Sequence, residues 1–287
     1  MNKKMLKDFL DMAKPRIVSM VLVTTAIGFF MGGKGIGSWE LFIMTLMGTA
    51  FSSGGAAVLN NYIERDIDTR MDRTCNRALP AGRILPVTAF VYGVSLVLIG
   101  AVILFSFVNL LTAYLNLLAA FLYVIVYTPL KRISWWNTFV GAIPGAIPPV
   151  AGWSAATGQV GLGALLLFAV LFTWQHPHFY AIAWMYKDDY RKGGFKMLPV
   201  VDESGKRTIT QIIGYSVLLL ASSVSIYVMQ MAGHFYLIGT LLIGFLFLAA
   251  ALLLAKSREH ADARRLLRAS IIYLPLLLVL VVLDSRF

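Results

Sequence analysis

The chain has 287 residues, 59% of them hydrophobic and only 14% charged, with a mean hydropathy of +0.76. Soluble domains carry about 25% charged residues, so this composition excludes an ordinary water-soluble globule and makes lipid part of the solvent. Lys and Arg (25) outnumber Asp and Glu (14) for a formal charge of +11, and the single cysteine, Cys75, excludes an intrachain disulfide.

Residues 1–14 mix Lys3, Lys4, Lys7 and Lys14 with Asp8 and Asp11. No small-residue cleavage site follows a short apolar core, so this segment reads as an amphipathic helix on the membrane surface and not as a cleavable signal. Nine apolar runs follow, at 17–32, 39–59, 84–107, 110–128, 136–155, 162–186, 208–231, 235–255 and 269–283. Each approaches the roughly 20 residues needed to cross a bilayer. Backbone polarity in lipid leaves helices as the only plausible spanning element here. The fold class is therefore all-α, a polytopic membrane bundle of about nine helices. No intervening polar stretch is long enough for a separate domain, so 1–287 reads as one unit. The small residues at 52–57 suit close helix packing. The run 143–149, with Pro144, Pro148 and Pro149, is expected to break or kink the fifth span. Such a kink either widens a cavity or is merely structural.

Sorted by loop parity, every Lys and Arg except Lys34 and Arg286 falls on one side of the membrane. Excess Lys and Arg mark the cytoplasmic face, which places the N-terminus inside, the C-terminus outside, and the chain in the cell membrane. The acids follow the same partition, Glu40 and Asp284 excepted. The positive charge is thus topological and nucleic acid is excluded as a partner. Anionic lipid headgroups or an anionic substrate can still exploit it.

Two polar clusters share that inner face. In the first, Asn60, Glu64 and Asp68 recur every four residues and project along one helix face, with Asp66 opposite. Like charges so spaced destabilise a bare helix, and a divalent ion is the economical compensation. The second, after the sixth span, holds Asp188 and Asp189 among Lys187, Arg191 and Lys192, beside Gly193 and Gly194. Ordinary salt-bridged loops would look similar one at a time. Two such clusters at one face point to a polyanionic ligand, a diphosphate with Mg²⁺, whose phosphates the bases would hold. The same metal and cations would stabilise charge on a departing diphosphate.

From Asn60 to Gly82, including Arg73-Thr74-Cys75-Asn76-Arg77-Ala78-Leu79-Pro80-Ala81-Gly82, the sequence resembles the first signature of the UbiA superfamily of intramembrane prenyltransferases. Quinone-type members carry N-D-x-x-D-x-x-x-D there. This chain has Asn61 and Glu64 in place of the first two aspartates and keeps Asn60 and Asp68. That variant is similar to the haem O synthase branch. So is Trp174-Gln175-His176-Pro177-His178-Phe179, followed by Asp188-Asp189-Tyr190 and Met197-Leu198-Pro199. The quinone-type second motif has two aspartates four apart, where this chain has Tyr186 and Tyr190. Asp189, and secondarily Asp188, then stand as the metal-side candidates.

The resemblance implies farnesyl diphosphate and haem b as substrates, with haem o and diphosphate as products. It implies Mg²⁺ as the metal, membrane lipid as surroundings, and a haem-oxidising enzyme downstream. Asn60, Glu64, Asp68 and Asp189 would organise Mg²⁺–diphosphate. Arg65, Arg73, Arg77, Lys131 and Lys192 are candidate phosphate or propionate contacts. His176 and His178 are candidate haem contacts, but they diverge by about 200° on a regular helix, so both cannot face one iron from one side. Interior hydrogen-bonded histidines are the alternative reading. His234 and His260 are expected to lie in loops without a special role. Rival functions are a quinone-precursor or other aromatic prenyltransferase, a secondary transporter, and a non-catalytic haem-binding assembly protein. No Asp, Glu, Lys or Arg falls in mid-span, which weighs against ion-coupled transport.

Overall fold

The structure is a computed structural model describing residues 3–286, and among these the chain is helical, with one isolated bridge between Ala232 and Ser285. A short amphipathic helix, α1 (Lys3–Met12), precedes α2 (Pro15–Gly33), α3 (Trp39–Asp68) and α4 (Pro86–Phe107). Next come α5 (Leu110–Phe121), a π-helical segment (Leu122–Tyr127) and α6 (Thr128–Ile133), which together form one span. The chain continues through α7 (Asn137–Thr157), α8 (Leu162–Met185), the short α9 (Lys187–Lys192) and α10 (Leu198–Val201). It ends with α11 (Lys206–Val228), α12 (His234–Ser257) and α13 (His260–Leu283).

Local chemistry sets these boundaries. Pro15 and Pro86 open α2 and α4, where the missing N–H goes unused. Ser38 and Asn109 accept from the backbone N–H of Leu41 and Thr112 at the starts of α3 and α5. Gly158, at φ 74°, closes α7 in the left-handed conformation.

Among the described residues, eight helices are long and apolar enough to cross a bilayer. The ninth expected span is α7, which has the length but is diluted by glycines and prolines, and most of its residues are buried. It needs little apolar surface because it is enclosed by α2, α5 and α8. The expected break at 143–149 does not occur: α7 runs unbroken through Pro144, Pro148 and Pro149. Helix α2 packs closely against this stretch, since a Cβ at Gly28 would collide with the Pro149 carbonyl and one at Gly152 with that of Thr25. The run at 52–57 packs as expected, and a Cβ on Gly55 would lie 2.6 Å from the Gly93 carbonyl of α4.

The largest core joins α8, α11, α12 and α13. A smaller one, Ile67, Met71, Ala183, Phe195 and Met197, ties the end of α3 to the end of α8. The outer faces carry exposed Leu242, Phe245, Leu246, Ile271 and Ile272, as lipid requires. Helix α1 exposes Met5, Leu6 and Leu10, buries Met12 and is clamped by a bidentate Arg83–Asp8 pair at 2.9 and 3.0 Å.

Candidate active site

Helix α3 extends past its apolar stretch, and its last turns bury Asn60, Glu64 and Asp68 on one face. This is the end where the helix dipole is negative, so acids there need compensation. Three cations from three other segments provide it. Lys14 Nζ donates to Asn60 Oδ1 at 2.7 Å, Lys131 Nζ to Glu64 Oε1 at 2.6 Å, and Arg77 Nη1 to Asp68 Oδ2 at 2.7 Å. Asn60 Nδ2 continues to Thr128 Oγ1 at 3.0 Å. These groups line a cavity of about 100 Å³, room for several waters or a small anionic headgroup. Its walls include Arg73, Tyr123, Tyr127, Tyr190 and Phe195.

The two clusters meet here. Met71, Thr74 and the arginines come from the loop after α3, and Tyr190, Phe195 and Met197 from the second cluster. Asp189 Oδ1 accepts from the Asp72 backbone N–H at 2.8 Å, Lys192 pairs with Asp72 at 2.6 Å, and Arg73 donates to the Tyr190 hydroxyl at 3.2 Å. The Arg73 guanidinium also lies over the Tyr186 and Tyr190 rings at 5.0 and 5.2 Å.

Not every expected residue arrives. Arg65 lies outside the cavity lining, over the Tyr62 ring and beside Asp66. Lys192 and Asp188 are exposed, paired with Asp72 and Arg191. Asp189 does not line the cavity either; it holds the loop that does. Conversely, Lys14, Tyr123, Tyr127 and Phe195 line it without having been singled out from sequence, and Tyr190 lines it where the quinone-type motif would have an aspartate. Lys14 looked like topological charge, and only its left-handed backbone, at φ 52° between α1 and α2, turns it inward. Burial, then the nearby Arg77 guanidinium, push its ammonium down to about 7, a push that a guest anion would reverse. The π-helical segment sets Tyr123 and Tyr127, and π-bulges commonly mark functional sites.

The donor set fits Mg²⁺. Asp68 Oδ1 is buried and has no hydrogen-bond partner among the described residues, an open carboxylate oxygen in the cavity that the Asn60 amide and the Glu64 carboxylate also line. No three His, Cys, Asp or Glu converge among the described residues. That suits an ion held by one or two carboxylates together with substrate phosphates.

The histidines diverge, as the helical period requires. His176 is fully buried, stacked on Tyr215 at 3.6 Å, with Nδ1 2.7 Å from the Phe172 carbonyl. A carbonyl only accepts, so Nδ1 donates, and Nε2 is left without a partner among the described residues. His178 turns to α13, with Nδ1 2.7 Å from Ser270 Oγ and its ring on Trp174. Neither lines the cavity.

A membrane bundle whose helix ends enclose buried carboxylates facing partly buried cations is built for a charged, lipid-tailed substrate, the class of the intramembrane prenyltransferases. The chain belongs to the UbiA prenyltransferase family, whose profile matches residues 21–274. It is 42% identical over 288 residues to the protoheme IX farnesyltransferase of Solibacter usitatus (strain Ellin6076), covering 97% of this chain and 99% of that one. With the protoheme IX farnesyltransferase of Salinibacter ruber (strain DSM 13855 / M31) it shares 43% over 280 residues, covering 98% and 99%. Its fold is similar to that of a digeranylgeranylglyceryl phosphate synthase, with a TM-score of 0.82 at 18% identity over 98% of each chain. It also resembles a UbiA homolog from Archaeoglobus fulgidus bound to DMAPP and Mg²⁺, with a TM-score of 0.66 at 18% identity, covering 96% and 99%.

Proposed function

We propose that this prenyltransferase transfers the farnesyl group of farnesyl diphosphate to a vinyl group of haem b, with addition of water, to give haem o and diphosphate. The observation that carries the reading is the α3 face of Asn60, Glu64 and Asp68 opposed by Lys14, Lys131 and Arg77 in one cavity. The names of the full-length relatives support the choice of donor and acceptor.

The allylic C–O bond breaks and its electron pair leaves with diphosphate. The haem vinyl group attacks the allylic carbon, and water captures the resulting cation, losing a proton to leave a hydroxyl. Lys14, Lys131 and Arg77 bind phosphate oxygens and stabilise the charge that grows on them. Arg73, braced by Tyr186 and Tyr190, supplies a further guanidinium at the cavity wall. Asn60, Glu64 and Asp68 would hold Mg²⁺, which when bound neutralises the departing diphosphate. Asp189 keeps the arginine-bearing loop in place through the Asp72 N–H. The apolar bundle excludes water from the allylic cation until the vinyl group has reacted. His176, with its open Nε2 in a wall of Phe139, Phe172 and Tyr215, is the better of the two histidines for contact with haem. His178 already spends Nδ1 on Ser270.

The cavity opens to the cytoplasm of the cell membrane, because the excess basic residues lie at its end of the bundle. Haem o released there would pass to a haem-oxidising enzyme. The test is incubation of the purified protein with haem b, farnesyl diphosphate and Mg²⁺, with porphyrin mass as the readout. Haem gains one farnesyl group and one hydroxyl. Prenylation of a phenolic acid with haem b left untouched would overturn the reading.

A further inference from the structure

A second cleft, of about 290 Å³, lies away from the α3 cavity and shares none of its lining residues. Its walls come from three places: Trp184 and Lys187 at the end of α8 and just past it, Glu203 to Gly205 before α11, and Arg258 with His260 where α12 gives way to α13. Each belongs to the end of a membrane-crossing helix. Trp184 is one residue from the end of α8, Gly205 immediately precedes α11, Arg258 immediately follows α12, and His260 begins α13. Four spans therefore finish around one opening, which sets it at headgroup depth. It lies at the same end of the bundle as the α3 cavity, because Tyr186, two residues past Trp184, carries the Arg73 guanidinium.

The cleft is electropositive and held open. Lys187, Arg258 and His260 line it with a single acid, Glu203. Arg258, in the left-handed conformation at φ 57°, donates to the Ser204 carbonyl at 2.9 Å and bridges two of the three walls. Gly205, at φ 67°, lets the turn pass against the Trp184 ring, where a Cβ would lie 2.7 Å from Cη2. The start of α13 adds a positive dipole end whose N-cap residue makes no side-chain cap, whereas the start of α11 is already taken up by the Asp202 carboxylate. The side chains of Lys187 and His260 make no hydrogen bond or ion pair within the described residues.

We infer that this cleft binds the phosphate headgroup of an anionic membrane phospholipid, with Lys187 and Arg258 on the phosphate, His260 beside them, and Trp184 at the boundary with the acyl chains. Depth selects the source: the phosphates concentrated at the ends of four spans are those of the bilayer, and basic pockets between helices at this level suit such headgroups. The Trp indole, apolar in body and polar at its N–H, suits the same layer. His260 thereby acquires a role that its position in the sequence did not announce. The inference does not depend on the prenyl-transfer reading.

The full-length protein in nanodiscs of mixed phosphatidylglycerol and phosphatidylcholine tests it, with lipid retention measured by native mass spectrometry. Phosphatidylglycerol is expected to be retained over phosphatidylcholine. Lys187→Gln should weaken that retention about fivefold, the effect of one basic residue at an anionic surface, and Arg258→Gln at least as much. Lys256→Gln, an exposed control on α12 outside the cleft, should leave it unchanged. Because Arg258 also holds Ser204, the Lys187 variant decides the matter. Equal retention by wild type and Lys187→Gln, or an equal loss in Lys256→Gln, overturns the site. Inorganic phosphate binding to delipidated protein as tightly as phosphatidylglycerol overturns the lipid as occupant.

Discussion

At the scale of single residues, the site is defined by unequal treatment of similar groups. Asp68 is buried with one oxygen held by Arg77 and the other open, and an unsatisfied buried polar group costs about 1–3 kcal/mol. A ligand that fills it recovers that energy. Asp68→Asn nearly preserves size and should lower kcat for haem o formation by about 10²–10³-fold, the usual scale for one electrostatic contact to a transition state. Asp189 touches the loop and not the cavity, so Asp189→Asn should raise KM more than it lowers kcat. Near-normal turnover in Asp68→Asn would remove this carboxylate from the chemistry. The Glu64–Lys131 pair, with side chains 6% and 13% exposed, makes a separate prediction. Lys131→Met strands the Glu64 carboxylate and should cost about 3–5 kcal/mol of stability. Combining it with Glu64→Gln should restore most of the thermal midpoint in detergent without restoring activity. Two equally destabilised variants would mean that the pair is not coupled.

At the scale of elements, the length of α3 matters most. Its 30 residues span about 45 Å, against a hydrocarbon core of about 30 Å, so the last turns emerge at headgroup depth with their acids. The turn before α11 shows the opposite use of an acid, at a positive helix end. Asp202 Oδ2 accepts from the Thr208 N–H at 2.8 Å and its hydroxyl at 2.9 Å, while Oδ1 accepts from Ser204. Burial works to raise this carboxyl, but the Thr208 and Ser204 hydrogen bonds outweigh it and hold it below its ordinary 3.8. A folded value below the unfolded one gives stability that is complete above the unfolded value and is lost as pH falls through the folded one. Asp202→Asn should therefore cost about 0.5–2 kcal/mol of stability at neutral pH, as for a lost cap, and so lower the thermal midpoint. It should also flatten the acid limb of the stability profile below pH 3.8. An unchanged acid limb would show that the carboxylate does not contribute as a charge.

At the scale of the molecule, both polar openings lie at one end of the bundle and the α7–α8 turn at the other. Helix α8, with 24 residues, separates them by about 36 Å. Single cysteines at Thr69, Lys192 and Gln159, in a Cys75→Ser background, report on sidedness through an impermeant thiol reagent. Only Gln159→Cys should react in intact cells, and the other two should react after permeabilisation. Labelling of Thr69→Cys or Lys192→Cys without permeabilisation would invert the proposed orientation.

The membrane class, the all-helical fold and the acid-bearing face of α3 were legible in the sequence because each depends on a local rule: apolar length, the closure of backbone hydrogen bonds in lipid, and the four-residue spacing of Asn60, Glu64 and Asp68. The divergence of His176 and His178 followed from helical period in the same way. Contacts across long separations were not legible. Asp188 and Asp189 look alike as neighbours, yet one pairs outward with Arg191 and the other reaches Asp72 across 117 residues. The prolines of α7 signal a break by local preference, but the helix runs whole where it packs against the glycines of α2. Lys14 enters the cavity through a single left-handed residue, and Tyr123 and Tyr127 through a π-helical segment. Only tertiary packing chooses which charged side chains leave water, because burial is decided by what the other helices bring against them.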